Sequence, residues 1–149
     1  MAYTIFLAIH NIMRWAALLA GLFAAIRLCQ GWQTKRTWEK ADRIAKSIFV
    51  IVMDIQFTIG IILYTVLSPV TRAAFANMGA AMKDKELRFV AVEHIFLMVA
   101  ATALVHIGAL KIKKATSDEA MFKFGTIFFT IALGLMIAGI PWAKRMLPL

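Results

Sequence analysis

The chain has 149 residues, 62% hydrophobic and only 17% charged, with a mean hydropathy of +0.78. A soluble domain is about 45–50% apolar, so this composition excludes an ordinary water-soluble globule, and the length leaves room for one small domain. The net charge of +9 sits in short stretches between apolar runs, where cations set topology and meet anionic lipid headgroups. No nucleic-acid motif accompanies them, so nucleic acid is not an expected partner.

Four apolar segments follow one another, at about residues 4–27, 47–67, 88–112 and 118–142. Each is long enough, at 1.5 Å per residue, to cross a hydrocarbon core of roughly 30 Å. Runs of this length cross as helices, because only a helix bonds every backbone group within the segment. The expected fold is all-α: a single integral-membrane domain, a four-helix bundle.

The first span starts at Thr4 and has no Lys or Arg before Arg14. It lacks the positive start and small-residue cleavage site of a secretory signal, so it is expected to remain as a helix. It carries His10 and Arg14. The following loop and its flanks hold Arg27, Lys35, Arg36, Lys40, Arg43 and Lys46. Thr37, ahead of Trp38 and Glu39, is the expected cap of the second helix. Cys29 is the single cysteine and has no partner for an internal disulfide.

The second span contains Asp54 and ends at Ser68-Pro69. Beyond it, Val70, Ala74, Met78 and Ala81 fall near one face, the pattern of a short helix lying on the surface over residues 70–82. The third span carries Glu93, His94 and His106. Lys111, Lys113 and Lys114 follow, and Thr116 with Glu119 has capping-box spacing for the fourth helix. The fourth span has no ionisable residue between Phe124 and Trp142 and reads as a wall.

The first and third loops hold more Lys and Arg than Arg72, Lys83, Lys85, Arg88, Lys144 and Arg145 supply on the other side. By the positive-inside rule those two loops are cytoplasmic and both termini lie outside, in a bacterial cytoplasmic membrane. Trp32 and Trp38 would mark the inner interface, and Tyr3, Tyr64 and Trp142 the outer one. Gly21, Gly60, Gly108 and Gly134 lie within spans, where small residues allow close helix approach.

Ionisable side chains inside a membrane are costly and call for a reason. Helical rise places both His10 and His94 about 9 Å in from the outer end of their spans. Asp54 and His106 form a second level near the inner end. Two level imidazoles on different helices suit the axial positions of one b-type haem. A membrane histidine also serves as an interhelical hydrogen-bonding residue, and that reading stands beside the first. Arg14, one turn from His10, can meet a haem propionate, a quinone carbonyl or Glu93. His94 and His106 point about 120° apart, which favours one haem over two stacked. Asp54 with His106 reads as a structural pair, or as the inner end of a proton path.

The run Ile9-His10-Asn11-Ile12-Met13-Arg14-Trp15, then Gly31-Trp32, Glu86-Leu87-Arg88-Phe89, Val92-Glu93-His94, Lys113-Lys114-Ala115-Thr116 and Ala138-Gly139-Ile140-Pro141-Trp142 resemble a family of small bacterial four-helix membrane proteins labelled cytochrome b-like. The resemblance spans nearly the whole chain and carries to His10, Arg14, Glu93 and His94. Family members often have a further histidine before an Ile-Gln pair in the second helix; here Asp54 stands before Ile55-Gln56.

The expected function is that of a membrane b-type cytochrome. One haem held by His10 and His94 would relay electrons between quinone and an outer-face redox partner, with Arg14 and Glu93 beside it. The alternative is an accessory subunit of a larger respiratory or photosynthetic complex, in contact with other membrane redox subunits; a proton channel or transporter is the third reading. No nucleophile or metalloprotease motif points to a stand-alone enzyme.

Overall fold

A computed structural model describes residues 1–142; Lys144 and Arg145, counted above among the outer-side cations, lie outside them. The described residues form helices joined by short turns, with no strand among them. They form α1 (Ala2–Thr34), α2 (Lys40–Ile62) with a π-helical turn Leu63–Leu67 after it, α3 (Pro69–Ala76), α4 (Met78–Ala81), α5 (Lys85–Arg88), a second π turn Phe89–His94, α6 (Ile95–Lys114) and α7 (Asp118–Ala138). Four of the resulting helices, Ala2–Thr34, Lys40–Leu67, Lys85–Lys114 and Asp118–Ala138, are long and apolar enough to cross a membrane.

Helix α1 packs along α2 and α7, and α6 packs along α7, while α2 and α6 meet only thinly. So α1 and α6 face each other across the bundle axis. One end of the bundle, called the basic end here, holds the two turns rich in lysine and arginine. The opposite end carries α3, α4 and α5.

The basic half is solidly packed. Phe49, Phe122 and Phe129 are fully buried with Leu28 and Val105, and Phe49 meets Phe129 edge-on at 5.1 Å. The close approach needs glycine. A Cβ on Gly31 would lie 2.2 Å from the Phe122 ring, so α1 passes that ring only because residue 31 has no side chain.

A polar knot closes this end. The carboxylate of Asp42 is fully buried, and Arg36 forks onto it with Nη1 2.7 Å from Oδ2 and Nη2 2.6 Å from Oδ1. The Glu39 amide donates to Oδ2 at 2.9 Å, and Arg27 Nε lies 2.7 Å from Oδ1. The Arg36 guanidinium also covers the Phe122 ring at 4.7 Å. A two-pronged arginine contact fixes geometry as well as charge, so the α1–α2 turn is held against α7. The chain leaves α1 through Lys35 at φ 51°, the left-handed residue that commonly ends a helix.

Three expectations about helix ends change. The N-cap of α2 is Glu39, which forms a capping box with Asp42; Thr37 lies too far upstream. The N-cap of α7 is Ser117, whose hydroxyl accepts from the Ala120 amide at 3.3 Å, one residue later than the Thr116–Glu119 spacing implied. The surface helix expected over 70–82 is split at Asn77, whose side chain caps α4; Ala74 and Ala81 turn inward while Met78 is exposed.

Candidate functional site

At the α3–α5 end the bundle splays around a cavity of about 560 Å³. Its walls include His10, Arg14, Gln56, Gly60, Tyr64 and His94, with Met53, Met98, Met136 and Phe89 among the apolar ones. A mostly apolar hollow of this size with a few convergent polar groups is the usual form of a small-molecule or cofactor site.

The two histidines come from the diagonal helices α1 and α6. Their ring centres are 6.4 Å apart and the rings are turned 75° to each other. His94 is the last residue of the second π turn. Such turns recur at functional sites because the extra residue re-aims the side chains after it. Tyr64, in the other π turn, donates from its hydroxyl to the Ala91 carbonyl at 2.7 Å, so the two irregular turns are tied together across the cavity mouth. Thr71 donates to the Tyr64 carbonyl at 2.8 Å, which attaches α3 as a roof.

Hydrogen bonds define the imidazoles. His94 Nδ1 lies 2.7 Å from the carbonyl oxygen of Gly139. A carbonyl only accepts, so Nδ1 carries the proton, and neutral His94 has its lone pair on Nε2. His10 Nε2 lies 3.3 Å from the amide nitrogen of Gln56. Its Nδ1 and the Gln56 Oε1 are buried without a hydrogen-bond partner. Turning the Gln56 amide over gives Oε1 the Nε2 proton and leaves His10 Nδ1 as a bare lone pair.

Arg14 is buried, with Nη1 3.5 Å from Asn11 Oδ1 and the guanidinium 5.8 Å from the Trp15 ring centre. It lines the cavity with His10. Glu93 does not. Its carboxylate takes a 2.8 Å contact from Arg88 Nε, so the interhelical Arg14–Glu93 tie gives way to a local one, five residues back along the chain. Asp54 and His106 meet as their levels implied, with Oδ1 2.7 Å from Nε2, on the thin α2–α6 side and away from the cavity.

The sequence reading passed over Gln56 and Gly139, the direct partners of both histidines. Gln56 stands two residues after Asp54 in α2. Its place one turn before Gly60, on the buried side of α2, was the available signal.

Compared with family models, with curated proteins and with solved structures, the chain matches none.

Two features of the pair bear on a bis-imidazole metal cofactor, and a third on the space His10 occupies. Two metal–nitrogen bonds of about 2 Å, with each ring centre set back behind its nitrogen, put the ring centres roughly 6 Å apart, against 6.4 Å here. His94 shows the ligand tautomer fixed by a backbone carbonyl, the usual support of a metal-bound histidine. A Cβ on Gly60 would lie 3.2 Å from His10 Cε1, so this glycine leaves the ring its room.

Proposed function

We propose that the chain crosses a bacterial cytoplasmic membrane four times, with residue 1 and the end of α7 on the outer face, and holds one b-type haem between His10 and His94. The function is electron relay between the quinone pool and an outer-face redox partner. The observation that carries the reading is the close pair of imidazoles from diagonal helices, with ring centres 6.4 Å apart in a cofactor-sized cavity.

Haem in this position supplies reversible one-electron chemistry at its iron. The chain's residues supply the rest. The Gly139 carbonyl fixes the tautomer and direction of His94, and an acceptor on Nδ1–H raises the basicity of Nε2. With its amide turned over, Gln56 would accept from His10 Nε2–H through Oε1 and do the same service for that ring. Arg14, buried in the cavity wall, is the cation that would hold a propionate carboxylate, and its fork geometry suits one. Below the cavity, Met53, Phe49 and Phe129 fill the axis. This packing supports a carrier working from one face over a channel running through the bundle.

The test is the dithionite-reduced minus oxidised spectrum of the protein purified in detergent, with haem quantified per chain. A b-type alpha band at about one haem per chain is expected, absent in His10→Ala and His94→Ala and retained in His106→Ala. A colourless protein, produced with haem supplied, would overturn the assignment.

A further inference from the structure

The Asp54–His106 pair has an unusual position. Both residues lie inside helices apolar enough to cross a membrane, yet their side chains are 46% and 48% exposed on the outside of the bundle. Asp54 is eight residues from Lys46, about 12 Å of helical rise, and His106 is five from Lys111, about 7 Å. Lysine and arginine reach headgroups from such depths by snorkelling along their stems. Aspartate and histidine are too short. Hydrocarbon offers no hydrogen bond, so the pair needs a polar cover from protein.

The pair itself indicates which protein. The Nε2–Oδ1 contact of 2.7 Å uses one atom of each group. With one proton held in that contact and the other ring proton on Nδ1, the pair keeps one donor, His106 Nδ1–H, and one acceptor, Asp54 Oδ2. These complement each other, so two copies related by a two-fold axis satisfy both and bring the two pairs together with no net charge. An isologous contact has this self-complementarity by construction. The surface permits the approach. One turn toward the α3–α5 end, Thr58 on α2 and Ala103 on α6 are both exposed, and small residues at that point let backbones come close. The same side is where α2 and α6 meet thinly.

We infer that the chain forms a two-fold dimer in the membrane through the α2–α6 face, with Asp54 and His106 of each copy completing the hydrogen bonds of the other. The inference rests on the membrane insertion proposed above and not on the haem.

The test uses the purified full chain, alone, in liposomes at low protein density, with Cys29→Ala as background. An equimolar mixture of chains carrying Thr58→Cys and chains carrying Ala103→Cys, residues that the two-fold contact sets opposite each other, is expected to give an oxidative disulfide dimer, and Ile131→Cys, exposed on α7, to remain monomeric. In both chains of that mixture, the double substitution Asp54→Leu with His106→Leu replaces the polar pair by apolar side chains that hydrocarbon accepts; it is expected to stay in the membrane with its helix content unchanged and to lower the dimer fraction at least tenfold. Monomer throughout, equal cross-linking at Ile131→Cys, or a double variant that dimerises like its parent would overturn the dimer while leaving insertion intact. Release of the parent chain by alkaline carbonate would bring down insertion, and the dimer with it.

Discussion

The Nδ1 of His94 and the carbonyl oxygen of Gly139 are 2.7 Å apart, and this bond joins the second π turn to the last turn of α7. Gly139 sits close against α6. A Cβ there would meet Met98 Cε at 2.5 Å and Leu97 Cβ at 3.4 Å. The methionine end can move aside, but a branched side chain must push the two segments apart and lengthen the bond to His94. Gly139→Val is expected to weaken haem retention about 10–100-fold, the usual cost of losing such an outer partner, while Gly139→Ala changes it little. Haem retention after titration with apomyoglobin measures the difference.

Gly60 provides a steric test of His10. Its missing Cβ would lie 3.2 Å from His10 Cε1 and 3.7 Å from Nδ1. Gly60→Val should displace the ring and leave the haem on one imidazole only. The expected outcome is a change from a low-spin to a high-spin spectrum with helix content unchanged, read by visible absorption and circular dichroism on the same sample.

The Asp42 knot lies far from the cavity and bears on stability. Removing the carboxylate leaves two guanidinium groups and the Glu39 amide without their common acceptor. Loss of one partner from a fully buried pair costs about 3–5 kcal/mol. Arg27 and Arg36 are 27% and 29% exposed, and solvent screening reduces the figure. Asp42→Ala is expected to destabilise by about 2 kcal/mol in thermal unfolding in detergent, and Glu39→Gln by less than half of that, with no change in haem content for either.

Two glycines separate packing from helix propensity. Gly31→Ala places a methyl group 2.2 Å from the buried Phe122 ring, and overpacking of this kind costs about 1–3 kcal/mol. Around Gly134 nothing lies within 4 Å of the added Cβ. There alanine is expected to be neutral or to stabilise by up to about 1 kcal/mol. Thermal unfolding of the two variants should move in opposite directions, or only Gly31→Ala should move.

The long helices were legible because hydropathy over some twenty residues is a strong signal. The levels of the histidines and of Asp54 with His106 were legible because helical rise is constant. Direction around the helix axis was less so. The π turn at Phe89–His94 changes the phase between Arg88 and α6, so counting 100° per residue does not carry across it. This is why Glu93 reads as a partner for Arg14 when it reaches Arg88. The Asp42 knot depends on Arg27, Arg36 and Glu39 meeting around one turn whose path is set by Lys35 at positive φ. No periodicity announces such a turn. The Gly139 carbonyl was hidden for a plainer reason: backbone acceptors have no letter in the sequence.

The packing of the two ends also bears on assembly in time. None of Phe49, Phe122 and Phe129 in the aromatic core at the basic end lines the cavity, so the four helices can find their neighbours with the far half still empty. The proposed prosthetic group would then arrive as a late component at a scaffold already standing, beneath the roof that Thr71 and Tyr64 tie to the second π turn.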